Sequence, residues 1–275
     1  MDANIEEKYY GLKKLLREMG SALLAYSGGT DSTLLLAVGR ESLGDNMMAV
    51  TVHSPLHPRE MLEGAASMAA RLRVEHITVD SDELENEDFA ANNRERCYIC
   101  KHDRFAKIID IAAREGICEV VEGSQLDDLG DYRPGMDAVS ELGVRSPLLE
   151  CGFMKYEVRS LSRELGLSTW NMPPSTCFAT RIPYGEEITR DKISVIDKGE
   201  KFLSEMGFTQ VRLRLLGDSA VRIEVNPKSI EKLASEGVGE RVLSKLRDLG
   251  FAYVTLDLAG YRSGSLNEVL EDSVE

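Results

Sequence analysis

The sequence predicts an α/β fold: a parallel sheet with helices on both faces, followed by a second, smaller α/β domain. Three observations lead there. Short unbroken apolar runs alternate with stretches of helical period over residues 1–166, as they do when strands are covered on both faces. A break follows at 168–185, STWNMPPSTCFATRIPYG, which holds two adjacent prolines and the only Trp and so reads as a loop or linker. Beyond it the rhythm changes to a helix, two strands, more helix and a last strand.

Taken in order, residues 1–20 (MDANIEEKYYGLKKLLREMG) read as an amphipathic helix and not as a signal peptide. Residues 21–27 form an apolar strand that runs straight into a glycine turn, and 33–42 the helix after it. A second buried strand is expected at 47–53, a helix at 58–72 and an alternating third strand at 74–80. A helix at 101–115, a fourth strand at 118–123 and a helix at 155–165 complete the first part. After the break come a helix at 189–206, strands at 208–215 and 220–225, one or two helices within 229–249, and a strand at 251–258. The expected division is a domain at 1–168, a linker loop carrying Cys177 at 169–185, and a small domain at 186–275.

Composition excludes several classes of protein. With 43% hydrophobic and 29% charged residues the chain is neither low-complexity nor mainly disordered. No apolar run approaches the ~18 residues of a membrane span, so a soluble, cytoplasmic protein is expected. Lys and Arg total 33 against 47 Asp and Glu, a net charge of −14. That balance argues against a protein whose main task is to grip nucleic acid, while leaving room for a local basic pocket for a small anion. The densest acidic run, 80–88, reads as a solvated loop. The odd number of cysteines, at 97, 100, 118, 151 and 177, in a cytosolic context points to metal binding or thiol chemistry and away from a disulfide framework.

The strongest chemical signal is Ser27-Gly28-Gly29-Thr30-Asp31-Ser32, between the first strand and the helix after it. Paired glycines let the backbone turn sharply and bring N–H groups close to an anion. The helix that starts there adds its positive N-terminal end, and Ser27 and Ser32 add hydroxyl donors. Such a loop suits a pyrophosphate. It lacks the Gly-Lys-Ser/Thr ending of a Walker loop and is not a GxGxxG turn.

This hexapeptide resembles the PP-loop of the ATP pyrophosphatases, which cleave ATP between its α and β phosphates and hold the departing pyrophosphate. The resemblance implies a Rossmann-like fold of the adenine nucleotide alpha hydrolase kind, with Ser27, Gly28, Gly29, Asp31 and Ser32 as the nucleotide site. Asp31 would then either stand near Mg2+ or cap its helix. Three later segments narrow the likeness: 123–134 (GSQLDDLGDYRP), 173–185 (PPSTCFATRIPYG) and 211–225 (VRLRLLGDSAVRIEV), together with YRSGSLN at 261–267. In this order they resemble the LarE-type ATP-dependent sulfur transferases, over residues 10 to 268. That family acts on a pyridinium dicarboxylate mononucleotide on the way to the nickel-pincer nucleotide cofactor of lactate racemase. It activates each carboxylate as an acyl-adenylate and replaces an oxygen with sulfur.

Some members of the family give up the sulfur of a single cysteine, and Cys177 in PPSTCFATR occupies the matching place. Others hold a 4Fe-4S cluster on three cysteines. The C-x-x-C at Cys97 and Cys100 provides an extra pair that can bind one metal centre, and with Cys177 as third ligand the resemblance implies the cluster-bearing kind. Read by itself the pair is also half a zinc site, a redox pair or helix-end packing, with His102 and Cys151 as nearby fourth ligands for zinc. Arg94, Arg96, Lys101 and Arg181 would lower thiol pKa values and offset cluster charge.

Cys118, at the head of a strand, is expected to be a small core residue, and Cys151, in a Glu-Cys-Gly turn before a helix that could activate it, is not expected to take part in the chemistry. Arg212 and Arg214 alternate on one strand and share a face. With Arg181 they are the candidates for the substrate's phosphate, with Arg262 a weaker one. Asp127, Asp128 and Asp131 either carry Mg2+ at the carboxyl end of the fourth strand or hydrogen-bond their own turn. Glu200 matches a position near the family's site by register. The expected cofactors are ATP, Mg2+ and the cluster. The expected partners are a small-molecule nucleotide and further copies of the chain, with neither membrane nor nucleic acid. A tRNA thiolation enzyme of the PP-loop type is the alternative; the acidic total and the lack of further C-x-x-C knuckles weigh against it.

Overall fold

The computed structural model describes residues 2–130, 134–174, 176–262 and 265–266. The chain divides into two compact units, one of Met1–Glu83 with Glu95–Ser175 and one of Leu84–Arg94 with Thr176–Glu275.

The first unit is built on a four-stranded sheet of order β3-β2-β1-β4, with β1 Ala22–Ala25, β2 Met47–His53, β3 Glu75–Asp80 and β4 Glu119–Val121. All three pairings are parallel. The strands move outward from β1 to β3, and the chain then returns to place β4 on the other side of β1. The crevice between β1 and β4 is therefore the topological switch point, where open α/β sheets bind ligands beyond the carboxyl ends of their strands.

Side chains of a strand alternate between faces, and β1 shows it. Ala22 and Leu24 join a core with Leu12 and Leu16 of the helix Ala3–Met19 and Leu34, Leu35 and Val38 of the helix Thr30–Leu43. Leu23 joins the opposite core with Met48, Val50, Phe105, Ile108 and Val120. The helix Thr30–Leu43 lies so close to β2 that a Cβ on Gly39 would fall 2.6 Å from Met47 Sδ. The helices Arg59–Leu72, Arg96–Glu115, Gly135–Glu141 and Lys155–Glu164 complete the layers.

The second unit packs the helix Arg190–Glu205 with a sheet of order β5-β6-β7: β5 Arg212–Leu216, β6 Ala220–Glu224 and β7 Tyr253–Leu256. The first pair is antiparallel and the second parallel. Two helices, Ile230–Ala234 and Val238–Asp248, connect β6 to β7. Among the described residues no helix is long and apolar enough to cross a membrane.

Several sequence expectations are corrected. The helix expected at 101–115 starts at Arg96, so the C-x-x-C lies at its start and not ahead of it. β4 starts at Glu119, and Cys118 ahead of it is exposed and not a core residue. β5 starts at Arg212, four residues later than expected, after a left-handed backbone at Gln210 (φ 55°). The acidic run is only partly a solvated loop. Glu83 is buried, and its Oε1 accepts Arg104 Nε at 2.7 Å. Burial works to raise its pKa, but the Arg104 charge and hydrogen bonds from Arg104 and Ser54 together hold it below the ordinary value.

Residues 84–94 belong to the second unit by their hydrogen bonds. Fully buried Asn92 sits at φ 57° and donates Nδ2 to the carbonyls of Pro183 (2.7 Å) and Glu186 (2.8 Å). The N–H groups of Gly185 and Ile188 return bonds to the carbonyls of Asn92 and Ala90.

Candidate active site

In the first unit the chain leaves β1 through Tyr26, whose N–H still bonds the Val50 carbonyl at 2.8 Å, and turns at once into the loop Ser27–Ser32. Gly28 takes φ +74°, and a Cβ there would lie 3.0 Å from Ala65 Cβ; glycine is needed for both reasons. Ser27 Oγ and Ser32 Oγ are 2.9 Å apart and close the loop across its mouth. Gly29 is the N-cap of the helix, and no side chain caps it. The first N–H groups of the helix therefore face the loop, where an anion would be held by backbone donors and the helix dipole together.

The surroundings lock this geometry. Thr30 Oγ1 donates to the Thr169 carbonyl at 2.7 Å in a buried bond. The turn after β4 closes in from the other side: a Cβ on Gly123 would meet Ser32 N at 3.1 Å, so any side chain there would press on the loop's backbone. Beside it, buried Glu122 accepts the N–H and Oγ of Ser124 at 2.9 and 2.8 Å and the Ser146 hydroxyl.

Asp31 does not cap its helix. Its Oδ2 is 2.5 Å from Lys155 Nζ, while its Oδ1 is buried with no hydrogen-bond partner. Lys155 is the first residue of its helix, and its N–H bonds Asp127 Oδ2 at 2.6 Å. Sequence reasoning passed over Lys155; the one local signal was a cation at the start of a helix. Asp128 turns inward and accepts the Gln125 N–H at 3.0 Å, the turn-making role. Asp131 and the segment 131–133 lie outside the described residues.

None of the five cysteines is in a disulfide. Cys97 and Cys100 are half-buried and stand one helical turn apart at the start of the helix Arg96–Glu115. That turn is packed closely: a Cβ on Gly135 would come within 3.1 Å of the Cys97 carbonyl. His102 stacks on Tyr98 at 5.9 Å. Cys151 packs against the core, where burial, aided by Glu150, pushes its thiol up to about 11. The helix near it therefore does not activate the thiol. Among the described residues no group of three or more His, Cys, Asp and Glu side chains is gathered as a metal site.

In the second unit Cys177 precedes the short turn Phe178–Arg181. Its carbonyl accepts the Thr180 N–H at 3.1 Å and the Thr180 hydroxyl at 2.8 Å. The candidate phosphate ligands Arg181, Arg212 and Arg214 are all buried in this unit. Arg181 pairs with Glu200 at 2.8 Å, and Arg214 with Glu224 at 2.5 Å. Arg212 lies over the Tyr261 ring at 5.2 Å. Burial, together with the charges of Arg181 and Arg214, pushes Arg212 below the ordinary arginine value, against the pull of Glu200. An anion beside it would relieve that repulsion. Arg262 pairs with Asp257 at 3.4 Å.

A serine- and glycine-bearing loop with an acidic residue, set at the switch point of a parallel sheet and opening a helix, defines a PP-loop protein. No family model matches the chain. It is 38% identical over 269 residues to the pyridinium-3,5-bisthiocarboxylic acid mononucleotide synthase of Lactiplantibacillus plantarum, spanning 98% of this chain and 96% of that protein. An uncharacterised protein of Synechocystis is 41% identical over 97% of this chain and 99% of its own length. The glutamine-hydrolysing GMP synthase of Aeropyrum pernix is 27% identical over 70% of this chain and 41% of its own length. The chain belongs to the LarE family, that of the pyridinium-3,5-bisthiocarboxylic acid mononucleotide synthase. It is an ATP-binding enzyme of the PP-loop class.

Proposed function

We propose that the chain is an ATP-dependent sulfur transferase that converts both carboxylates of a pyridinium dicarboxylate mononucleotide to thiocarboxylates, supplying the nickel-pincer nucleotide cofactor of lactate racemase. The observation that carries this reading is the anion cradle at Ser27–Ser32 in a chain that aligns over nearly its whole length with a bisthiocarboxylic acid mononucleotide synthase.

A carboxylate oxygen of the substrate attacks the α-phosphorus of ATP. The bond from that phosphorus to the bridging oxygen breaks, and pyrophosphate leaves into the backbone donors around Gly28, Gly29 and Ser32. The step is needed because a carboxylate oxygen leaves poorly and AMP leaves well. Sulfide sulfur then attacks the acyl carbon, AMP departs, and a thiocarboxylate remains. Mg2+ suits Asp31, whose buried Oδ1 has no hydrogen-bond donor and is a hard oxygen ligand. Arg181, Arg212 and Arg214 hold the substrate's phosphate, with Arg212 the member whose charge an anion best relieves.

Sulfur is delivered by way of Cys177. The donors fit a 4Fe-4S cluster in kind: they are thiols, and Cys97 and Cys100 are spaced for one metal centre. Cys97, Cys100 and Cys177 would hold it, and when bound it supplies an iron position free to carry an exchangeable sulfide. The chain acts in the cytoplasm, as a homo-oligomer.

The test is iron and acid-labile sulfide content, with Mössbauer spectra, on protein purified without oxygen, followed by incubation with ATP and the dicarboxylate mononucleotide. About four irons per chain, lost in Cys97→Ala, together with pyrophosphate and thiocarboxylate, support the reading. Thiocarboxylate without iron, with a loss of ~34 Da at Cys177, as departure of its sulfur as hydrogen sulfide requires, replaces the cluster by a sacrificial cysteine. Pyrophosphate release that depends on tRNA, with no product from the mononucleotide, overturns the reading in favour of a tRNA thiolation enzyme.

A further inference from the structure

The loop that carries Cys177 is held by a carboxylate nineteen residues beyond the arginine it grips. Glu200 accepts Arg181 Nε at 2.8 Å and Nη2 at 3.1 Å, and the same Oε1 accepts the Leu213 N–H of β5 at 2.9 Å. The Arg181 guanidinium thus has one edge fixed to a helix and a strand. Its remaining nitrogen, Nη1, points at the loop. It donates to the Cys177 carbonyl at 3.2 Å, to Thr176 Oγ1 at 2.7 Å and to Thr180 Oγ1 at 2.6 Å. Because the guanidinium is a rigid planar fork, orienting one edge dictates where the other donates. Arg181 is 2% exposed, so water does not compete for these bonds.

The device is repeated three residues on. Arg214, anchored through Nε on Glu224, donates Nη1 to the Thr180 carbonyl at 2.7 Å. Two buried arginines, each set by its own carboxylate, therefore hold the carbonyls of residues 177 and 180, which flank Phe178 and Ala179.

We propose that Glu200 is a positioning residue for Cys177: acting through Arg181, it fixes the backbone from which the thiol projects. The inference rests on the proposed role of Cys177 in sulfur delivery, and part of its test does not. Group transfer needs reacting atoms about 3–3.5 Å apart, and a displacement of about 1 Å costs on the order of 100-fold in rate. Glu200 is negative, so it does not itself hold an anionic substrate.

The test compares wild type with Glu200→Gln, which can still accept the Leu213 N–H but lacks the charge that orients Arg181, and with Glu200→Asp, which restores the charge. Two readouts need no substrate: amide hydrogen exchange over residues 178–182 and the rate at which iodoacetamide alkylates Cys177 in iron-free protein. In Glu200→Gln exchange over the turn should rise about tenfold or more, as expected for loss of a charged hydrogen bond, and the alkylation rate should change with it. Exchange in β6 should stay at the wild-type level, which separates a loosened turn from a loosened unit. With ATP and saturating dicarboxylate mononucleotide, kcat for thiocarboxylate should fall about 30- to 100-fold, with the first burst of pyrophosphate unchanged. Glu200→Asp should recover part of the loss. Unchanged exchange over 178–182 overturns the proposal, as does a raised KM at constant kcat, which would make Glu200 a support for substrate binding. If the wild type makes no thiocarboxylate, the sulfur-transfer reading fails, and the exchange and alkylation rates still decide what Glu200 does to the turn.

Discussion

Lys155 Nζ lies 2.5 Å from Asp31 Oδ2, so the acidic residue of the anion loop is tied to the first residue of a helix far along the chain. The pair is part-exposed, and its contribution to stability is modest. Its consequence is for the loop: the ammonium sits beside the cradle in which pyrophosphate would rest. We expect Asp31→Ala to abolish ATP-dependent pyrophosphate release. Lys155→Met should lower it by 10- to 100-fold, about the worth of one or two charge-assisted hydrogen bonds, with the melting temperature nearly unchanged. A pyrophosphate assay beside a thermal melt checks both.

Gly28→Val tests the cradle by shape alone. Positive φ and the contact with Ala65 both oppose a branched side chain, and the strain is about 1–3 kcal/mol. ATP turnover should vanish while the protein stays folded. Circular dichroism together with ATP binding by calorimetry would separate the two effects.

Cys177→Ala should abolish thiocarboxylate formation and leave adenylylation largely intact, seen as a burst of pyrophosphate without thiolated product by mass spectrometry. Wild-type rates of thiocarboxylate formation in this variant would remove Cys177 from the chemistry.

The remaining thiols should sort by environment. Exposed Cys118 should be alkylated first. Cys151, raised to about 11, stays a neutral thiol at pH 8, and its alkylation rate should climb about tenfold per pH unit towards 11. The shift also couples to folding. Between the ordinary thiol value and about 11 the unfolded chain has lost a proton that the folded chain keeps, so stability falls as pH rises through that window. Cys151→Ala should flatten this part of a stability-against-pH curve measured by urea melts.

Glu224 has a fully buried side chain, and its Oε1 serves both Arg214 (2.5 Å) and Arg222 (3.0 Å). Removing it leaves two cations without that counter-charge. Glu224→Ala should destabilise the second unit by about 3–5 kcal/mol, read as a lowered urea midpoint.

The first unit was legible because its central strands, β1 and β2, are buried on both faces. Met47–Val50 is an apolar run that continues through Thr51 and Val52 to His53, and the expected span and the observed strand coincide. The glycine pair was legible too, since few reasons other than backbone geometry place Gly-Gly between a strand and a helix. Boundaries set by tertiary contacts were not. Nothing local in Arg96–Lys101 announces a helix: its N-cap Glu95 makes no side-chain capping bond, and the first turn is closed in by Gly135 from another segment. Lys155 and Glu200 escaped a firm role for the same reason. A charge is read locally as solvated, and only the fold reveals which opposite charge it meets. The arginines of β5 were placed on one face correctly, but their burial against Glu200 and Glu224 depends on a helix and a strand that spacing alone does not bring to them.

The interrupted second unit carries a cost in time. Asn92 finds its nearest carbonyl partner at Pro183 across 91 residues of chain, all of which must leave the ribosome first. At about 5–20 residues per second, the 84–94 segment waits on the order of 5–20 s with a buried-to-be asparagine and Phe89 still in water. A fragment starting at Thr176 would never meet that segment at all. Supplying residues 84–94 as a separate peptide should then be what such a fragment needs to fold.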